Sequence, residues 1–319
     1  MKRRIFLAAA WAAMLPLSLR AQSSWPAKTI RLVVPFAPGS GTDSAGRVLA
    51  QALSERLGQQ VIVENRAGAF GQIAAELVAR SAADGYTLFM TTNTTHGANP
   101  HLFNRLPYDP IRDFVPVARV GTLPFMLVVT PSLPVKTTAE LLSYARKHPN
   151  ALSYAQASST SLVAMETIKR LGKVAIVGVQ YKASPQALVD LMAGRVQVMV
   201  ADFATAMPQV RAGKLRVLGV TTAQRSRLLP NVPPIIDDLP GFDTTSWNGV
   251  FAPAKTPATV VSRLQREILA VLARPEIEKK LEGIGFEVDP LDAAAFGRYV
   301  DEQIEHWGRM IRAAGIERQ

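Results

Sequence analysis

Five segments rich in Gly, Ser, Thr or Asn hold the groups most able to do chemistry here: residues 36–43, 65–71, 91–99, 156–161 and 181–184. A sixth, 201–205, contributes Asp202. Most of them run into the start of an expected helix, where free backbone N–H groups and the positive end of the helix dipole favour an anion. Hydroxyls add donors without adding charge. On this ground Asn93, Thr94, Ala157, Ser158, Ser159, Thr160 and Lys182 are candidate ligand contacts. The same residue types also make ordinary turns and caps, so one loop alone says little. Six loops at the corresponding edge of two sheets ask for a shared reason, and a small carboxylate held from both sides supplies one.

Several residues leave two readings open. Asp43 fits the first turn of a helix better than a ligand contact, because an acid there repels an anion. Asp202 follows an apolar strand and either ties its loop down or meets a donor on the ligand. Lys182 either neutralises a carboxylate or is simply solvated. Phe36 is either an apolar wall of the site or plain core.

Catalytic constellations are not apparent. Gly39, Gly41 and Gly46 give G-x-G-x4-G, the wrong spacing for a dinucleotide loop. Gly46 is followed by Arg47-Val48, so no phosphate loop of the Walker type is present, and there is no G-x-S-x-G elbow. His96, His101, His148 and His306 are scattered, and two neighbouring histidines without a third ligand are a weak metal signal. No nucleophile, base and orienting group occur together, and no motif calls for a cofactor. The chain reads as a binding protein rather than an enzyme.

The loops need elements to position them. Residues 30–34 form a β-branched run read as a buried strand. Ala45, Val48, Leu49, Ala52 and Leu53 then mark one face of a helix that Gly58 ends. Strands at 61–63 and 86–90 with a helix through Leu77 and Val78 complete a strand–helix alternation that predicts a parallel sheet. The pattern restarts with strands at 125–129, 152–155, 174–179, 196–200 and 215–221. Its helices open with the capping signature Thr137-Thr138-Ala139-Glu140 and near Ser161, Pro185 and Thr205. A Pro-rich run, 230–240, interrupts it, 244–257 is a return crossing, and helices at 258–272, near Ile277 and at 293–312 pack back on the first unit. The expected fold is α/β: two doubly wound α/β domains with a ligand cleft between them. Domain 1 is 22–123 plus 247–319, domain 2 is 124–246, and hinges lie near 122–125 and 243–248. Ligands in such sheets bind beyond the carboxyl ends of the strands.

The N-terminus has the order of a secretory signal: Lys2, Arg3 and Arg4, an apolar stretch to Leu17, and Ala21 before a cut at Gln22. Arg3-Arg4-Ile5-Phe6-Leu7 also resembles a twin-arginine signal. The apolar run, about 13 residues, is short of the ~20 needed to cross a bilayer. The formal charge is +11; without Lys2, Arg3, Arg4 and Arg20 the 36 basic residues become 32 against 25 acidic ones, or +7. The bases are dispersed and no aromatic-interleaved stripe occurs, which argues against a nucleic-acid partner. With no cysteine, neither a disulfide nor a lipid-anchoring thiol is available.

The residues also carry a family resemblance. Val33-Val34-Pro35-Phe36-Ala37-Pro38-Gly39-Ser40-Gly41-Thr42-Asp43 resembles the V-P-F-x-P-G-G-x-x-D segment of Bug-type extracytoplasmic solute receptors of tripartite tricarboxylate transporters. Glu64-Asn65-Arg66-Ala67-Gly68-Ala69-Phe70-Gly71, Asp84-Gly85-Tyr86-Thr87-Leu88, Tyr181-Lys182 with Asp190-Leu191 and Gly194, and Ala212-Gly213-Lys214-Leu215-Arg216 are similar to later segments of that family, in order. The resemblance implies a monomeric periplasmic protein of the Venus-flytrap type that captures a small carboxylate and hands it to a membrane permease. By matched position it implies ligand contacts at Phe36, Ala37, Gly39, Ser40 and Thr42, and opposite them at Ser158, Ser159, Thr160, Ala183 and Asp202. Three departures fall in the expected cleft: Ser40 for a second Gly, Gln156-Ala157-Ser158-Ser159-Thr160-Ser161 for a Gly-rich loop followed by His, and Ala183 for a Gly. The alternatives are an exported α/β enzyme acting on a small acid, and a sensor that touches a membrane kinase.

Overall fold

The computed structural model describes residues 25–242 and 244–319. The expected leader, 1–21, lies outside them, as does Asp243 of the second expected hinge. The strands are β1 (Ile30–Val34), β2 (Val61–Asn65), β3 (Thr87–Thr92), β4 (Phe114–Leu123), β5 (Phe125–Val129), β6 (Ser153–Gln156), β7 (Val177–Gln180), β8 (Val198–Asp202), β9 (Arg216–Val220), β10 (Ser246–Pro253) and β11 (Glu287–Leu291). The helices are α1 (Gly41–Leu57), α2 (Gln72–Ala79), α3 (Asn99–Leu102), α4 (Thr138–Lys147), α5 (Ser159–Gly172), α6 (Ser184–Met192), α7 (Phe203–Arg211), α8 (Ile235–Asp238), α9 (Ala258–Leu272), α10 (Pro275–Gly283) and α11 (Ala293–Ala313). A 3-10 turn at Ala69–Gly71 and a π-helical turn at Thr94–Ala98 complete the set.

Two sheets result. One has six strands in the order β11-β4-β10-β3-β1-β2, the other five in the order β7-β6-β8-β5-β9. The chain passes from the first sheet to the second at Pro124 alone, between β4 and β5, and returns between β9 and β10. The parallel sheet expected of 30–34, 61–63 and 86–90 is present, and both sheets also hold antiparallel strands. β1 runs parallel to β2 and β3, but β10 is antiparallel to β3 and β4. β5 is likewise antiparallel to β8 and β9. β11 is antiparallel to β4 as well; β5 enters its sheet directly across Pro124, whereas β10 follows the 221–245 connection that carries α8.

Two strands have no counterpart in the sequence reading. β4 contains Pro116 and Gly121, which look like strand breakers. The register against β10 shifts between Val250 and Phe251, which pair with Ala118 and Pro116. That bulge absorbs the proline. At Gly121 a Cβ would run into the Glu287 carbonyl of β11, so the glycine permits the close approach of the edge strand. β11 itself carries Pro290, tolerated at a sheet edge.

Both faces of the first sheet are covered. β10 alternates inward sides: Val250 and Ala252 face the cluster shared with α1 and α9, whereas Trp247 and Phe251 face Phe89 and the α11 residues Phe296 and Val300. α11 presents Phe296, Val300, Trp307 and Ile311 as a buried stripe, the spacing of one helix face. Its far end joins Leu162 and Val163 of α5 with Ala98 and Leu102 in one cluster, so this last helix touches both sheets' layers. Gly249 is a second required glycine, because a Cβ there would overlap the Phe296 ring. Gly249→Ala is therefore expected to cost ~1–3 kcal/mol, the usual penalty of overpacking a tight core, as read from urea unfolding. An unchanged midpoint would show that the ring can move aside.

Candidate carboxylate site between the two sheets

Four helices begin around one small, half-open space. Ser40 caps α1, its Oγ accepting from the Asp43 N–H at 3.3 Å. Ser158 caps α5 in a reciprocal box, with Ser158 Oγ accepting from the Ser161 N–H at 3.2 Å and Ser161 Oγ accepting from the Ser158 N–H at 3.1 Å. Ala183 precedes α6, whose first residue is Ser184. Asp202 caps α7 through the Thr205 N–H at 2.9 Å. Caps of these types satisfy one first-turn donor and leave others directed along the helix axis.

The space measures about 30 Å³ and is lined by Phe36, Ser40, Gly41, Thr42, Thr92, Thr94, Leu123, Phe125, Ser158, Thr160, Ser184, Asp202 and Ser246. Its lining has seven Ser or Thr hydroxyls besides Thr94 and no Lys or Arg. Phe36 is also a wall of a larger neighbouring cavity of about 330 Å³, with Pro35, Gly68, Ala69, Phe70, Gly71, Ala157, Gln180, Tyr181 and Lys182. Hydrogen bonds cross between the layers beside the inner space. Asn93 Nδ2 donates to Thr160 Oγ1 at 3.0 Å, and Ser159 Oγ to Thr94 Oγ1 at 2.9 Å. Ser246 Oγ holds the other end of the Asn93 amide at 2.6 Å.

Of the residues singled out from sequence, Phe36, Ser40, Thr42, Thr94, Ser158, Thr160 and Asp202 line the inner space, and Ala157 and Lys182 line the outer cavity with Phe36. Ala37, Gly39, Asn93, Ser159 and Ala183 line neither. Asn93 and Ser159 are consumed by the cross-layer bonds, and Gly39 is exposed at the turn. Ala183 has the extended backbone φ −156°, ψ 146°, so its methyl group costs nothing where a glycine was expected. Sequence reasoning missed Thr92, Leu123, Phe125, Ser184 and Ser246. Ser184 was placed just ahead of its helix, which begins one residue earlier than Pro185; Thr92 ends a strand expected to stop at Met90, and Ser246 lay in the 244–257 crossing with no role assigned to it. Asn248 was missed as well: fully buried, it leaves both polar atoms without a partner and pairs in register with Thr92.

Asp43 is an anchor. Its carboxylate accepts from the Gly39 N–H (2.9 Å), Arg47 Nε (3.1 Å) and Asn65 Nδ2 (2.9 Å). Burial works to raise its pKa, but the Arg47 pair and these hydrogen bonds outweigh it and hold the carboxyl below its usual value. Thus Asp43 fixes the 37–43 turn and faces away from the cavity. Asp202 differs. Burial drives its pKa up, and the Thr205 and Gly41 N–H groups only partly reverse that. The Gly41 contact spans the two layers, and a Cβ on Gly41 would meet Asp202 Oδ1 at 2.8 Å. Nor do the histidines form a site. His96 lies stacked on Phe251 at 4.1 Å between centroids, and burial lowers its pKa to about 3. His101 Nε2 pairs with the Ile304 carbonyl. Among the described residues no group of three metal-ligating side chains gathers.

The outer cavity has a strained wall. Ala69 and Phe70 both adopt left-handed backbone, φ 46° and φ 49°, costing on the order of 1–2 kcal/mol each. The Asn99 amide braces the Phe70 carbonyl at 2.9 Å.

Residues 45–316 match the model of the tripartite tricarboxylate transporter family receptor, TctC. The chain belongs to this family. Among curated relatives it is 37% identical to the UPF0065 protein in the tcbD-tcbE intergenic region of a Pseudomonas species, over 97% of this chain and 94% of that one. It is 32% identical to Protein BugT of Bordetella pertussis, over 92% and 91%. Two solved structures share its fold: R. palustris Rpa4515 with adipate, at 38% identity and TM-score 0.90, and MatC from Rhodopseudomonas palustris with bound malate, at 32% and 0.84. They cover 92% and 90% of this chain and all of their own. The chain is thus a Bug-type receptor with the α/β architecture of periplasmic binding proteins.

Within this TctC-family receptor, Asp202 yields a pH prediction. A native pKa above the ordinary 3.8 means that the folded chain keeps a proton that the unfolded chain has lost. Stability from this group is therefore fullest below about pH 4 and falls as pH rises through the raised native value. Asp202→Asn keeps an acceptor for the Thr205 N–H and removes the titration. The difference in urea midpoint between variant and parent should shift in the variant's favour from about pH 4 to about pH 7. A difference independent of pH would contradict the raised pKa.

Proposed function

We propose that this protein is a periplasmic receptor that encloses a small carboxylate between its two sheets and delivers it to the membrane permease of a tripartite tricarboxylate-type transporter. The observation that carries the reading is the convergence of the α1 and α5 N-termini, from opposite layers, on one half-open space rich in hydroxyls. Such a place stabilises an anion by N–H groups and helix dipoles without a full positive charge. The adipate and malate in the two R. palustris relatives support a carboxylate as the ligand class. The basic-then-apolar order at 2–17 supports export. The absence of a nucleophile–base pair around the space, with family relatives that are solute receptors, favours binding over turnover.

On this reading 22–123 with 247–319 and 124–246 act as two lobes hinged near Pro124 and 243–248. Ligand favours the closed state because only there do Ser40 and Thr42 face Ser158 and Thr160. The Asn93–Thr160 and Ser159–Thr94 bonds then act as latches at the rim of the ligand space.

A thermal-shift screen tests this. With a cognate acid at 100 times its Kd, one-site binding adds about 2.7 kcal/mol to stability. Dicarboxylates should raise Tm while their neutral diamides leave it unchanged; a flat response across the acids would refute a carboxylate ligand. Thr160→Val is expected to weaken carboxylate binding about tenfold, or ~1.4 kcal/mol, by calorimetry, with urea stability lowered by no more than ~1 kcal/mol. Unchanged affinity would remove the α5 terminus from the site.

A further inference from the structure

We infer that the edge of the second sheet opposite the ligand loops is a docking surface for anionic phospholipid headgroups. The topology fixes where that edge lies. β6, β7 and β8 run parallel, and β5 is antiparallel to both β8 and β9, so β9 runs with them. β6, β7 and β8 end at the 156–161, 181–184 and 201–205 loops, where α5, α6 and α7 start; each helix then returns to the amino end of the next strand. The close of α4 joins that of α5: Arg146 Nε donates to the Gly172 carbonyl at 3.1 Å, and the Asn150 N–H to the Ala175 carbonyl at 3.1 Å. The ends of α4, α5 and α7 therefore share one edge, about 15 Å from the ligand loops at ~3.3 Å per strand residue.

This edge collects cations. Arg146 and Lys147 close α4, Arg170 and Lys173 close α5, and Arg211 and Lys214 close α7; all six are exposed. One cation at a helix end complements the dipole, but here there are two at each of three ends. Among the described residues the ion pairs of this stretch of chain take Lys169, Arg195 and Arg227 instead. Its acids are spent elsewhere: Glu166 on Lys169, Asp190 on Arg195, Glu140 on the Lys136 N–H in the first turn of α4, and Asp202 at the opposite edge. Asp237 and Asp238 lie on α8 behind Pro234, which bridges Val220 at the far end of β9. The balance of charge follows. Residues 124–246, which hold the second sheet, carry 13 basic and 7 acidic residues, or +6, whereas 22–123 with 247–319 carry 19 and 18, or +1. Bases dispersed along the sequence are thus gathered by the fold at one pole. The six are long side chains on separate helix ends, none pinned by an acid, which suits a surface of mobile charged headgroups rather than one rigid partner. A negatively charged bilayer attracts such a cluster within about one Debye length, ~8 Å at physiological salt. Contact by this edge leaves the ligand loops facing away, so the inference is independent of which ligand is bound.

Vesicle co-sedimentation of the intact mature chain tests it, with mixed phosphatidylglycerol–phosphatidylcholine vesicles against pure phosphatidylcholine at physiological salt. Binding is expected to the anionic vesicles only, and should fall as salt is raised. Lys147→Gln, Arg170→Gln and Lys173→Gln together should weaken it about a hundredfold, from ~1 kcal/mol per cation near an anionic surface, with the urea midpoint unchanged. Lys279→Gln, Lys280→Gln and Arg298→Gln together remove the same charge from exposed positions on α10 and α11 and should leave binding within about twofold. No binding to the anionic vesicles, equal binding to the neutral ones, or an equal loss in the two triple variants would overturn the inference. The carboxylate reading would stand in each case, because its loops are untouched.

Discussion

Backbone donors at a helix start cannot be left buried and unpaired without a cost of ~1–3 kcal/mol each. This chain brings the starts of α1, α5, α6 and α7 to one place. Caps from Ser40, Ser158 and Asp202 satisfy one donor in each of three helices. The rest, with the Ser and Thr hydroxyls, surround a space whose lining also holds the buried Asp202 carboxyl. Two sheets bring these rims face to face, joined at Pro124 and again by the return from β9 to β10.

The short connection at Pro124 brings β5 into the second sheet without a crossover helix, and β5 runs antiparallel to both its neighbours, β8 and β9. The same geometry couples the layers mechanically. Phe125 of β5 and Leu123 of β4 flank the crossing and both line the inner space, so a change of angle between the sheets would move its walls. At the rear, Trp307 and Ile311 of α11 pack with Leu162 and Val163 of α5, tying the helix that offers Ser158 and Thr160 to the last element of the chain.

Much of this was legible in the residues. Alternating strand and helix patterns locate β1 to β3 and the α1 face, and the helix over 258–272 falls where its apolar spacing puts it. Polar turn residues and helix starts coincide in the loops after strands, and residues of those loops line the two cavities. What escaped the sequence depended on partners far along the chain. β4 holds Pro116 and Gly121, acceptable only because a bulge against β10 and the close edge of β11 accommodate them. Thr92, within the 91–99 loop, ends β3 and Ser246, within the 244–257 crossing, begins β10, and both line the inner space. Ser159 and Asn93, attractive as ligand contacts, instead spend their polar atoms on the opposite layer. Asp43 and Asp202 look alike in sequence, both near a helix start, yet Arg47 and Asn65 hold one ionised while burial pushes the other towards its neutral form.

The most direct test of a shared anion seat is a crystal structure of the mature chain grown with adipate. The account predicts one carboxylate in contact both with the α1 start at Ser40 to Thr42 and with the α5 start at Ser158 to Thr160. A ligand bound to one rim only, or outside the space between the sheets, would contradict it.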